Sequence, residues 1–182
     1  MASIYEIPVK KITGEDATLG EYKGKVLVVV NVASKCGLTA QYEALEKLYE
    51  TYGPKGVVVV GFPANDFKQQ EPGTDAEIQN FCTANFGVKF PLYSKITVVG
   101  ADKNELYKTL IAAQPKATSV NEPSWREKLK GYGIEPNPEP EILWNFEKFI
   151  IAKNGEVAAR FAPDTTPDAP EFVKAIEAEL AK

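Results

Sequence analysis

The chain has 182 residues, 44% of them hydrophobic and 25% charged, with a formal net charge of −4. That length fits one domain with a substantial core, and the balance argues against disorder and against a nucleic-acid surface, which would need a basic cluster. Histidine is absent, so Ser-His-Asp and Cys-His catalysis are excluded and a zinc site would have to be built from two cysteines and carboxylates; no metal or cofactor is expected.

The first eleven residues lack the apolar core of a signal peptide, and two cysteines do not make a secreted disulfide framework. A cytoplasmic protein with reduced thiols is expected. The longest apolar runs are strand-sized, so no membrane span is expected either.

Two short runs of alternating polarity, Ile4–Val9 and Lys11–Leu19, predict an N-terminal β-hairpin. Val26–Val30 then predicts a buried parallel strand, followed by a turn and a helix. Thr39 is the expected helix N-cap, and Tyr42, Leu45, Leu48, Tyr49 and Tyr52 recur at helical spacing until Gly53-Pro54. Cys36 lies in the turn. A cysteine just ahead of a helix meets free backbone N–H groups, which favour thiolate over thiol, whereas a core cysteine usually sits within a strand or on a helix face. Cys36 is therefore the candidate nucleophile, with an inert, packed thiol as the alternative. The run Cys36-Gly37-Leu38-Thr39 has threonine where a C-x-x-C motif would place its second cysteine, which disfavours a dithiol reductase.

Val57–Phe62 predicts a second buried strand and completes a right-handed β-α-β crossover. The loop from Phe62 to Gly73 then falls at the C-terminal edge of a parallel sheet, where α/β folds build their sites. Gln70 is its candidate, because the crossover brings this loop beside the Cys36 turn. Thr74 and Glu77 form a capping box for a helix that carries Ile78, Phe81, Cys82 and Phe86. Cys82 falls on the apolar line and reads either as a small buried hydrophobe or as a resolving thiol. The second role requires the helix to open, since a disulfide needs Cα atoms within roughly 7 Å.

Phe90–Tyr93 and Ile96–Val99 predict one or two short strands, with a turn or a cis bond at Pro91, and Leu106–Ala113 predicts a helix. Residues 115–141 carry Pro115, Pro123, Pro136, Pro138, Pro140 and Gly131-Tyr132-Gly133; they predict a surface insertion with a partner-contact role and a turn or two of helix at Trp125–Lys130. Ile142–Ile151 predicts a strand entered through Trp144-Asn145. Asn154-Gly155 predicts a two-residue hairpin turn, and Glu156–Phe161 its antiparallel partner. Asp168 with Glu171 is the expected cap of a last helix that turns Phe172, Val173, Ile176 and Leu180 inward. The order β-α-β-α-β-β-α predicts a thioredoxin-like α/β fold over a single domain, residues 1–182: a mixed central β-sheet flanked by helices, with an N-terminal β-hairpin.

Four segments together resemble the glutathione peroxidase family in its cysteine-containing, non-selenium, bacterial form. They are Asn31–Thr39 (NVASKCGLT), Gly61-Phe62-Pro63 running to Gln70-Glu71-Pro72-Gly73, the Phe81-Cys82 helix with Phe90-Pro91, and Trp144–Phe149 (WNFEKF). The resemblance spans nearly the whole chain with the segments in order. It implies a catalytic set of Cys36, Gln70, Trp144 and Asn145, with Cys82 as the resolving cysteine. The implied activity reduces hydrogen peroxide and organic hydroperoxides through a Cys36 sulfenic acid, resolved by Cys82 and recycled by thioredoxin, with glutathione the less favoured donor. A peroxide sensor that passes its oxidation to a partner protein would use the same residues. Two departures stand out. Ala64-Asn65-Asp66 replaces the Cys-Asn-Gln that often follows Phe-Pro, so a third thiol is missing. The 115–141 segment is one that compact monomers lack and oligomeric members keep, which leaves the oligomeric state open.

The proposed donors suit the chemistry. Gln70 and Asn145 offer amide N–H₂ groups and Trp144 an indole N–H; none can act as a base, and all can hydrogen-bond sulfur or a developing oxyanion. Thiolate formation alone accounts for little. For a thiol in general, lowering the pKa from about 8.5 to about 6 raises the thiolate fraction at neutral pH roughly thirtyfold, while a Brønsted slope of about 0.4 to 0.5 cuts nucleophilicity on the order of tenfold. Most of the acceleration must come from donors aimed at the peroxide oxygens.

Overall fold

The computed structural model describes residues 3–182; Met1 and Ala2, at the head of the stretch read above for a leader, lie outside them. The predicted N-terminal hairpin is present but short, with β1 (Val9–Lys10) antiparallel to β2 (Asp16–Ala17). The main sheet is built on β3 (Val26–Val32) and β4 (Val57–Pro63), which are buried at every residue and pair in parallel from Val26↔Val57 to Val32↔Pro63. Such runs of Val can be accommodated only where both faces are covered. Between them runs α1 (Gln41–Tyr52), which ends at Gly53-Pro54 in a short 3-10 turn; Gly56, in the left-handed region at φ 110°, redirects the chain into β4.

The helix α2 (Asp75–Phe86) starts at the predicted capping box, with the Thr74 hydroxyl and the Glu77 carboxylate each accepting from the other's backbone N–H. The helix α3 (Glu105–Ala113) covers one face of the sheet, where the Tyr107 ring meets Phe62 and Phe149 edge-on. The antiparallel pair β5 (Lys148–Ile151) and β6 (Val157–Phe161) completes the sheet in the order β4-β3-β5-β6. On the other face lie α1 and the last helix, α5 (Pro170–Leu180), whose Phe172 packs against Phe161. A mixed sheet with helices on both faces and an N-terminal hairpin is the thioredoxin-like arrangement read from the element order.

Several boundaries differ from expectation, each for a local reason. Thr39 is not the cap of α1; Ala40 is, without a side-chain bond, because the Thr39 hydroxyl is committed upstream, accepting from Cys36 N and donating to the Ala33 carbonyl. Phe90–Val99 forms single bridges, Gly61↔Leu92 and Ala64↔Ile96, instead of strands; Pro91 has no N–H to contribute to a ladder. Cis peptide bonds stand at Glu122–Pro123 and Glu139–Pro140, not at Pro91. The strand expected over Ile142–Ile151 begins only at Lys148. Phe146 sits in the left-handed region, φ 67°, and its N–H turns to the Asn31 carbonyl, so the chain bends there. The β5–β6 connection is a three-residue loop, Lys153–Gly155, closed by bonds between Ala152 and Glu156 and from Gly155 N to Ala152 O. Gly155 takes φ 89° against the Tyr5 ring, which leaves no room for a Cβ. Asp168 does not cap α5; the N-cap is Ala169, and Pro170 in the first turn removes one of the unpaired donors a cap would satisfy.

Residues 115–141 lie against the β6 edge. Thr118 bridges Phe161, and Trp125 and Leu129 of α4 (Trp125–Gly131) are buried. The Arg160 guanidinium donates to the carbonyls of Gln114, Pro140 and Glu141, at both ends of the segment.

Candidate active site

Cys36 lies in a series of tight turns between β3 and α1. Three-residue bonds, Thr39 N to Cys36 O, Gln41 N to Leu38 O and Tyr42 N to Thr39 O, wind the chain into the helix. This coil turns the Leu38 N–H onto the Cys36 sulfur at 3.3 Å, while Cys36's own N–H donates to the Thr39 hydroxyl at 3.0 Å. Cys36 is 9% exposed, enough for contact with a molecule as small as a peroxide.

The long loop after β4 returns to this turn. The Lys35 N–H donates to the Gln70 carbonyl at 2.9 Å, and the Ser34 N–H to a Glu71 carboxylate oxygen at 3.1 Å. Just before Gln70, Lys68 and Gln69 are both in the left-handed region, at φ 54° and 53°. Two consecutive non-glycine residues held there are strained, a state found where the surroundings fix a functional loop. Glu71 is fully buried; burial raises its carboxyl above the usual range, against the pull of Ser34 and Lys95.

The third arm comes from the far end of the chain. Because β5 runs antiparallel to β3 with Val30 opposite Lys148, the residues just before β5 lie beyond the C-terminal end of β3, beside the Cys36 turn. Asn31 holds them there: its side-chain amide donates to the Trp144 carbonyl at 3.0 Å, and its own carbonyl accepts from Phe146 N at 2.6 Å. Between these two anchors Asn145 is fully buried and donates from Nδ2 to Gln70 Oε1 at 3.0 Å. The Trp144 indole packs on Phe67 with ring centroids 5.3 Å apart.

The structure thus brings Gln70 and Asn145 into direct contact and ties Gln70 to the residue preceding Cys36, with Trp144 adjoining. The hydrogen bond to the sulfur is a backbone one, from Leu38, and the two amides bond each other. Asn145 Oδ1 has no partner among the described residues. Two clefts lie nearby, the first at the Trp144 arm and the second beside the Cys36 turn. One, of about 380 Å³, is lined by Phe67, Val99, Ile134, Leu143 and Trp144, and the other, of about 410 Å³, by Ser34, Lys35, Pro72, Ile78 and Phe81.

Cys82 is on α2, completely buried and, like Cys36, a free thiol. Burial pushes its thiol up to about 11, with the Glu71 carboxylate adding to the rise and the Tyr42 hydroxyl opposing it. Asn31, Glu71 and Lys148 are the residues that sequence reasoning passed over. Each left a signal, a polar or charged group inside a run that is otherwise buried and apolar or confined to a tight loop. Among the described residues there is no helix long and apolar enough to cross a membrane and no cluster of three metal-ligating side chains.

The comparisons with known proteins agree with this geometry. The family model for glutathione peroxidase matches residues 4–111. The chain is 47% identical over 180 residues to the thioredoxin/glutathione peroxidase BtuE of Escherichia coli, covering 99% of this chain and 98% of that protein. It is 43% identical over 166 residues to the glutathione peroxidase homolog BsaA of Bacillus subtilis, covering 91% of each. Among solved structures, the apo form of Trgpx superposes with a TM-score of 0.71 at 31% identity, covering 100% of this chain and 98% of the other. With the matched model spanning more than half the chain and the identity extending over nearly all of it, this chain belongs to the glutathione peroxidase family and is a thiol peroxidase.

Proposed function

We propose that the protein reduces hydrogen peroxide and organic hydroperoxides at Cys36, with Gln70, Trp144 and Asn145 as the donors that stabilise the reacting oxygens and Cys82 as the resolving thiol. The observation that carries this reading is the 3.0 Å bond between the Asn145 and Gln70 amides, 75 residues apart in sequence, beside the turn that holds Cys36. Donors meeting at the end of a strand, next to an accessible thiol, are what a developing oxyanion needs.

In the first step the Cys36 thiolate attacks one peroxide oxygen. The S–O bond forms as the O–O bond breaks, sulfur is oxidised by two electrons, and the other oxygen leaves as hydroxide or alkoxide and takes a proton. The Cys82 thiolate then displaces hydroxide from the sulfenic acid and forms a disulfide. An external dithiol, thioredoxin, returns both sulfurs to thiols in a reducing cytoplasm. The name of the Escherichia coli relative pairs thioredoxin with glutathione; a disulfide within the chain favours the dithiol, since its second thiol releases the mixed disulfide intramolecularly.

Steady-state peroxide consumption with thioredoxin, its reductase and NADPH tests the scheme. Cys36→Ser should abolish turnover. Cys82→Ser should still oxidise one equivalent of Cys36 yet fail to cycle with thioredoxin. Normal cycling by Cys82→Ser would overturn the resolving role, and a native enzyme that stalls as the disulfide would favour a relay that hands its oxidation to a partner.

A further inference from the structure

The Trp144–Phe146 turn is held from a second side by a charge that the peroxide scheme does not use. Lys148 is fully buried, and its Nζ donates to the Phe146 carbonyl at 2.6 Å and to the Pro163 carbonyl at 2.9 Å. The Pro163 carbonyl is itself fixed to α1, because Gln41 Nε2 donates to it at 2.8 Å. The ammonium therefore ties the left-handed residue Phe146 to a point anchored on α1, while Asn31 on β3 takes Phe146 N and the Trp144 carbonyl. A buried ammonium is costly unless its hydrogen bonds do something apolar packing cannot. Here they hold a bend next to Asn145, where a strained φ would otherwise relax.

We propose that Lys148 is a positioning residue for the peroxide step: its bonds to the Phe146 and Pro163 carbonyls hold the Trp144–Phe146 turn so that Asn145 meets Gln70 beside Cys36. This rests on the peroxidase reading above and names a residue through which that site is tuned. The charged and titratable groups around the ammonium are Glu147, ion-paired with Arg160 of β6; Asp164, ion-paired at 2.7 Å with Lys128 of α4; Tyr107 of α3, which faces Glu147; and the Tyr42 ring of α1, edge-on to Phe146. Desolvation lowers the Lys148 ammonium to about 7, against the opposing pull of Glu147 and Asp164. As it loses its proton its bonds change from charge-assisted to neutral, which are roughly half as strong.

The test compares two reactions of Cys36 in the full-length reduced protein between pH 5.5 and 8.5: oxidation by hydrogen peroxide and alkylation by iodoacetamide, with peptide mass spectrometry separating Cys36 from Cys82. Both proceed through the thiolate, so their ratio cancels its abundance and isolates the help that the turn gives to the peroxide. In the native protein the ratio should fall severalfold as pH rises through about 7. In Lys148→Met it should be about tenfold or more below native at pH 6 and independent of pH, with alkylation within about twofold of native. A native ratio that stays flat while NMR of the labelled Lys148 Nζ shows the ammonium losing its proton overturns the proposal without needing any variant to fold, as does a folded Lys148→Met whose ratio matches native or whose two rates fall together. A native protein whose Cys36 alkylates but resists peroxide removes the peroxidase reading as well, so the two failures are distinct.

Discussion

The Asn145–Gln70 bond is the smallest unit on which the proposed chemistry turns. Asn145 Nδ2 donating to Gln70 Oε1 fixes which way the Gln70 amide faces and leaves its Nε2 hydrogens for another acceptor. Removing one donor from a set aimed at a developing oxyanion typically costs on the order of a hundredfold or more. Asn145→Ala should therefore slow stopped-flow oxidation of Cys36 by peroxide about a hundredfold and leave its alkylation within a few-fold of native. An equal loss in both would mean that Asn145 serves only to fold the turn. Two parts of this site were legible in the residues, a cysteine outside any strand or helix and an amide-rich loop at the end of a parallel strand, whereas Trp144 and Asn145, expected within a strand that begins only at Lys148, were singled out by the family resemblance. What the sequence could not show is that the amides engage each other and that the sulfur takes a backbone N–H from Leu38. The first depends on left-handed residues at Lys68, Gln69 and Phe146, none of them glycine and so invisible to a search for turn residues, and the second on the tight turns that wind Cys36 into α1.

Among the elements, α2 is the one on which the proposed resolution of oxidised Cys36 depends. Cys82 is buried within the helix, so it can reach Cys36 only through local opening of α2. The capping box at Thr74 and Glu77 guards the end of α2 that adjoins the Cys36 turn. Thr74→Ala should cost about 1 kcal/mol of helix stability and so raise the population of the open helix roughly fivefold. Quenched mass spectrometry after one equivalent of peroxide should show the Cys36–Cys82 disulfide forming up to about fivefold faster, while Cys36 oxidation keeps its native rate. An unchanged disulfide rate would mean that opening at this end does not limit resolution. The two central strands were readable as unbroken apolar runs, α1 and α5 from apolar residues at helical spacing, and α2 from its capping box. The segments that misled were those in which a side chain is engaged elsewhere, such as Thr39 bound to Ala33, or in which the backbone bends for a tertiary partner, as at Phe146.

Across the whole molecule, Lys148 links the site to global stability. Its folded-state pKa of about 7 lies below the ordinary 10.5, so between these values the unfolded chain binds more protons than the folded one. Stability then rises with pH across that window, and the full cost of burying the charge is present below about 7. At about 1.4 kcal/mol per pKa unit the change amounts to a few kcal/mol. Urea unfolding at pH 6.5 and pH 9 should show the native protein gaining on Lys148→Met by that order; parallel behaviour of the two proteins would mean that the ammonium keeps its proton throughout. The burial of both cysteines, with only Cys36 open to small molecules, also sets the order of events expected of the whole protein. Rapid mixing of the fully reduced native protein with one equivalent of hydrogen peroxide, quenched at successive times for mass spectrometry, tests that order most directly. A sulfenic acid confined to Cys36 should appear first and give way to a Cys36–Cys82 disulfide. Peroxide left unconsumed, or oxidation beginning at Cys82, would contradict the account.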